Sequence, residues 1–142
     1  MGLAVIDASV AVKWFMEEPD TEAALRLQSD FFEGLLSVRV PSVFPYEVMN
    51  ALQSSRRFSR RDLLESARDV DRCGFQTVPL FGDYLERTVD LAAASAITIY
   101  DASYLALAAL EECPLYTADE ALLAFDGSRT EVRHIRGYPS RG

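Results

Sequence analysis

Leu3-Ala4-Val5-Ile6-Asp7-Ala8-Ser9 opens with four apolar residues and closes on a carboxylate and a hydroxyl. Four apolar residues without a polar break call for burial on both faces. That is the pattern of a central strand in a parallel sheet, not of a one-sided antiparallel strand. Val10 to Phe15 then reads as helix. The strand therefore delivers Asp7 at its carboxyl end, where ligands sit in open α/β sheets.

Working outward, helix and strand signals alternate. Asp20 or Thr21 caps a helix through Ala24, Leu27 and Phe31, and Gly34 ends it. Leu35 to Val40 reads as the second strand, and Ser42 caps a helix that tolerates Pro45 in its first turn and carries Glu47. Ser59 with Asp62 approximates a capping box, Gly74 closes that helix, and Phe75 to Leu80 reads as a strand. A helix entered from Asp83 precedes a break at Ile97 to Tyr100, and an apolar helix begins at Asp101. Leu115 to Thr117 is a short strand, and Thr117-Ala118-Asp119-Glu120 reads as a capping box opening a helix to Phe125. Asp126-Gly127 reads as a turn, Glu131 to Ile135 as the last strand, and a polar tail follows from about residue 136. The expected architecture is one three-layer α/β/α domain over residues 1–142, with a mainly parallel central sheet.

Composition narrows the function. Nearly half of the 142 residues are hydrophobic, enough for a proper core. The net charge of −8 argues against a generic electrostatic coat on nucleic acid, though not against an acidic site neutralised by divalent ions. A single histidine, His134, excludes a His-rich zinc site. Cys73 and Cys113 lack metal-ligand spacing and read as reduced thiols. The apolar runs are too short for a membrane span or a signal peptide, so a cytoplasmic protein without membrane contact is expected.

Four acids fall where strands end or helices begin: Asp7, Glu47, Asp101 and Asp119. Each has an ordinary reading. Asp7, with Ser9 as a competitor, and Asp101 suit N-caps; Asp119 suits a first turn, and Glu47 a solvated helix face. Jointly they point elsewhere. Carboxylates converging at one sheet edge repel each other unless a cation offsets them. Hard oxygen donors without His or Cys favour Mg²⁺ or Mn²⁺.

Val5-Ile6-Asp7-Ala8-Ser9-Val10, Pro45-Tyr46-Glu47-Val48, Tyr100-Asp101-Ala102-Ser103-Tyr104 and Tyr116-Thr117-Ala118-Asp119-Glu120 together resemble the four signature regions of PIN domains, in the small form found as VapC-like toxins of type II toxin–antitoxin pairs. The resemblance implies a metal-dependent ribonuclease that uses Mg²⁺ or Mn²⁺ and leaves 5′-phosphate and 3′-hydroxyl ends. It makes Asp7 and Asp101 the principal metal ligands, Glu47 and Asp119 the further catalytic acids, and Ser9 and Thr117 their hydrogen-bonding supports. It also implies an RNA substrate, a homodimer and inhibition by an antitoxin, for which an apolar groove around Trp14, Phe31 and Phe44 is the expected seat.

Positive charge gathers at Arg56, Arg57, Arg60 and Arg61. This cluster reads as a rim that guides RNA, as a docking site for an acidic partner segment, or as a solvated turn. Lys13, the only lysine, reads as a surface residue. Two competitors stand beside the nuclease: a PIN-like module that binds RNA or protein without catalysis, and a receiver-type phosphoacceptor. The latter normally needs adjacent acids after the first strand and a late lysine, and both are missing here.

Overall fold

A computed structural model describes residues 2–125 and 130–140; the turn expected at Asp126-Gly127 lies outside them. Among the described residues the chain runs β1 (Gly2–Ile6), α1 (Ala8–Val12), α2 (Thr21–Phe32), β2 (Leu36–Pro41), α3 (Phe44–Ser54), α4 (Arg60–Cys73), β3 (Gln76–Val78), α5 (Gly82–Ser95), α6 (Ile99–Glu111), β4 (Leu115–Thr117), α7 (Glu120–Leu123) and β5 (Val132–His134). A short 3-10 turn, Ile135–Gly137, follows. The strands form one sheet in the order β3-β2-β1-β4-β5. Every pairing is parallel.

The opening stretch is the central strand, and Ala4, Val5 and Ile6 are wholly buried. From β1 the chain steps outward through β2 to β3, then returns across the sheet to β4 and β5. With right-handed crossovers, α1–α4 cover one face and α5–α6 the other. The order therefore reverses between β1 and β4. That is the switch point at which the carboxyl ends of the strands leave a crevice.

Several expectations change in detail. α1 stops at Val12, because Trp14 and Phe15 donate to Ala11 and Val12 and tighten the chain into i→i+3 turns. α3 is entered from Val43 without a side-chain cap; the Ser42 N–H instead donates to the Val78 carbonyl, tying the loop to β3. Asp101 is not an N-cap. Thr98 is, accepting the Asp101 N–H at 3.0 Å, so α6 begins one turn earlier than expected. Asp119 caps α7 through a bond from the Ala121 N–H, and Thr117 is the last residue of β4 rather than a helix cap. Ser59 and Asp62 do form the capping box of α4, which contributes about 1 kcal/mol.

Lys13 is buried and paired with Glu18 at 3.4 Å, contrary to the surface reading. The aromatic groove expected around Trp14, Phe31 and Phe44 is filled. The Phe75 ring lies 4.6 Å from Phe31 and 5.9 Å from both Trp14 and Phe44, between centroids. Within the segment read as a polar tail, Tyr138 is buried edge-on against Tyr116. Cys73 and Cys113 are free and buried. Among the described residues no helix is long and apolar enough to cross a membrane.

Candidate active site

Register carries Asp7 to the switch point. Ile6 pairs with Tyr116, and the Asp7 N–H donates to the Tyr116 carbonyl, so Asp7 leaves β1 beside Thr117 at the end of β4. The Asp7 backbone occupies the N-cap position of α1, yet its side chain makes no capping bond. Its two oxygens instead accept from the Ser9 hydroxyl at 2.6 Å and the Thr117 hydroxyl at 2.9 Å. Both hydroxyls are themselves fixed. Ser9 Oγ accepts from the Ala118 N–H at 2.8 Å, and Thr117 Oγ1 from the Asp119 N–H at 2.9 Å. Each hydroxyl, engaged by a backbone donor, is left to donate to the carboxylate. The chain just after β4 thus sets the orientation of Asp7.

The electrostatics are unfavourable by design of the sequence. Asp7 is 5 % exposed, and burial pushes its carboxyl up from 3.8 to about 7. The Ser9 and Thr117 hydrogen bonds oppose that shift, while the charges of Asp119 and Glu47 add to it. The Asp101 carboxyl is also raised, first by burial and then by Asp119 and Glu47, with Thr98 opposing. Asp119 and Glu47 therefore act on both Asp7 and Asp101, and the four acids expected from the sequence share one field. Among the described residues neither Asp7 nor Asp101 forms an ion pair with Lys, Arg or His.

One residue escaped the sequence reading. Tyr104, on α6, donates its hydroxyl to Glu47 Oε1 at 2.7 Å. Burial, followed by the bond to an acceptor carboxylate, raises the phenol far above its ordinary range. The available signal was spacing: Tyr104 lies one helical turn beyond Asp101 and so shares its face.

The four arginines fall elsewhere. Arg56 adopts a left-handed conformation just past α3, Arg57 follows it, and Arg60 and Arg61 open α4. From Glu47 to the end of α3 at Ser54 the helix rises roughly 10 Å at 1.5 Å per residue, and the cluster begins beyond that end. Arg57 borders a cleft with Trp14 and Phe15, and Arg60, Arg61 and Arg68 line a shallow cavity of about 370 Å³. Two arginines in the first turn of a helix oppose its macrodipole. Beside Glu47 runs a different groove of about 820 Å³, walled by Val43, Pro45, Tyr46, Met49, Asn50 and Tyr100.

A divalent cation fits this donor set by chemistry: hard oxygens, a concentrated negative field and a buried carboxylate that has no ion-pair partner among the described residues. As the side chains stand, no group of three or more His, Cys, Asp or Glu residues converges into a metal-holding arrangement among the described residues. Asp119 and Glu47 nevertheless act on both Asp7 and Asp101 through their charge.

Comparison with known proteins supplies the context. A family model described as PIN domain matches residues 4–127. The fold is similar to that of PAE2754 from Pyrobaculum aerophilum, at 24% identity and a TM-score of 0.64 over 95% of this chain and 92% of that one. It is similar to VapC20 of Mycobacterium tuberculosis, described as a sarcin-ricin loop cleaving toxin, at 16% identity and a TM-score of 0.66 over 85% and 93% of the two chains. It is also similar to VapBC2 from Rickettsia felis, solved bound to a DNA fragment from their promoter, at 10% identity and a TM-score of 0.63 over 93% and 98%. No curated protein matches the chain.

Proposed function

This chain belongs to the PIN domain family, and on that premise we propose that it is a metal-dependent ribonuclease, the toxin of a toxin–antitoxin pair. The observation that carries the reading is the buried Asp7 carboxylate at the β1–β4 switch point, within the field of Glu47 and Asp119 and, among the described residues, without an ion-pair partner. Four acids held in mutual repulsion weaken a fold unless something positive is bound among them.

In this reading Asp7 and Asp101 are the principal holders of Mg²⁺ or Mn²⁺, with Glu47 and Asp119 completing the negative pocket. When bound, such an ion supplies charge for the phosphate oxygens and lowers the pKa of an attacking water. The chain's own residues do the positioning. Ser9 and Thr117 lock both Asp7 oxygens, and backbone N–H groups of Ala118 and Asp119 lock those hydroxyls in turn. The decisive experiment incubates the purified protein with RNA and Mg²⁺ or Mn²⁺, with and without chelator. Cleavage that requires the ion supports the reading; cleavage indifferent to chelation removes it. One observation favours a second reading, a silent RNA- or protein-binding module: the acids do not converge on an ion as they stand. RNA binding without cleavage in either metal would select that module.

The arginine cluster is assigned to RNA. Glutamate at Arg60 and Arg61 would suit the first turn of α4 better than arginine, so the fold should not suffer. The double variant is expected to bind RNA on the order of tenfold more weakly at low salt, with a shallower salt dependence and an unchanged melting temperature. Unchanged binding would make these arginines ordinary surface.

A homodimer and an antitoxin both require apolar surface. Phe81 at the N-cap of α5 and Leu85 and Val89 within it are exposed at successive turns, and the exposed Tyr46 and Tyr100 line the same groove as Glu47. Leu85→Glu with Val89→Glu is expected to convert a dimer into monomers in sedimentation equilibrium. A variant as dimeric as the wild type would take α5 out of the interface.

A further inference from the structure

Tyr104 is 1 % exposed, yet its hydroxyl reaches the half-buried Glu47. The bond crosses from α6 to α3 and joins residues 57 positions apart. A phenol this deep is strongly disfavoured without an acceptor, so the two groups constrain each other. The element holding Tyr104 is firmly placed. Thr98 caps its first turn, and the buried Tyr84 hydroxyl donates to the Ser103 carbonyl at 2.7 Å. Glu47 lies on the wall of an open groove, and among the described residues its side chain is held by the Tyr104 hydroxyl. One face of α6 thus carries an acid, Asp101, and one turn later the hydroxyl that fixes Glu47 of α3.

We infer that Tyr104 is a positioning residue, holding the Glu47 carboxylate toward the cation site it would share with Asp7 and Asp101; the inference rests on the metal-dependent reading above. Hydrogen-bond partners of metal ligands act in this way, and their removal typically weakens metal binding 10–100-fold. Tyr104→Phe is the clean probe. It removes one oxygen, keeps the ring in the core, and releases only Glu47, which water can reach.

The test measures Mn²⁺ binding to the full chain, from the paramagnetic resonance signal of free Mn²⁺, for wild type, Tyr104→Phe, Glu47→Gln and the double variant. Tyr104→Phe is expected to weaken Mn²⁺ by about tenfold and to add nothing once Glu47 is Gln. Correspondingly, the Mn²⁺ concentration for half-maximal cleavage should rise while KM for RNA stays put. Wild-type affinity in Tyr104→Phe overturns the inference. So does an equal loss in the Glu47→Gln background, since the hydroxyl would then serve the fold and not the carboxylate. A wild-type protein that binds no Mn²⁺ at all removes the metal-dependent reading itself, an outcome distinct from either.

Discussion

Asp7→Asn is expected to lower RNA cleavage by at least about 10²-fold and, in the same variant, to make the metal-free protein more stable above neutral pH. The two effects have one cause. Burial and the charges of Asp119 and Glu47 hold the Asp7 carboxyl near 7, against 3.8 when unperturbed. Between those values the folded protein keeps a proton that the unfolded chain releases, so stability falls as pH rises through the window and the loss is complete above the folded value. A difference of about three pKa units sets the ceiling of that loss at about 4 kcal/mol. Asparagine removes the charge and keeps the oxygen that accepts from Ser9 or Thr117. Urea unfolding in chelator, at pH 5.5 and pH 8, therefore gives a marked decline for the wild type and a much flatter profile for Asp7→Asn. Parallel profiles would mean that Asp7 is not the buried charge that weakens this fold. A stable, active Asp7→Asn protein would sink the nuclease reading with it.

The same residue explains how much was readable beforehand. An unbroken apolar run ending in an acid dictates a central parallel strand with a carboxylate at its tip, and both are found. The four acids were legible because each follows a strand or opens a helix, and such positions gather at one edge of a parallel sheet. Their exact duties were not. Asp101 was read as the N-cap of its helix, but Thr98, three residues earlier, holds that position and leaves Asp101 in the first turn. Ser42 lost its expected role because α3 starts at Phe44, which puts Val43 and not Ser42 at the N-cap position. Tertiary contacts decide such cases. Lys13 shows this most plainly: a lone lysine on a helix flank reads as solvated, but the fold buries it and places the half-exposed Glu18 at 3.4 Å. Phe75 is the counterpart among apolar residues, closing from the connection between α4 and β3 the groove expected around Trp14, Phe31 and Phe44. Tyr104 was hidden by composition, since a tyrosine in an otherwise apolar helix looks like core until its hydroxyl partner is known.

If repulsion among the acids is what a cation relieves, adding the cation must stabilise the protein that binds it. Mn²⁺ at about a hundred times its Kd is expected to add about 2.7 kcal/mol to the wild type at pH 8. For a chain of this length that is a rise in melting temperature of about 8 °C. Asp7→Asn and Asp101→Asn should each lose most of this rise, because each removes a principal oxygen donor and part of the charge that draws the ion. The two routes to stability also must not add. Neutralising Asp7 and binding Mn²⁺ relieve the same burial and the same repulsion from Asp119 and Glu47. Asp7→Asn without metal should thus approach wild type with metal, and gain little more when Mn²⁺ is supplied. Calorimetry on the three proteins, with and without Mn²⁺, separates the cases. An equal upward shift in all three would place the ion outside this pocket. No shift in the wild type would leave four acids in mutual repulsion with nothing to offset them, and the enzyme reading would have lost its physical reason.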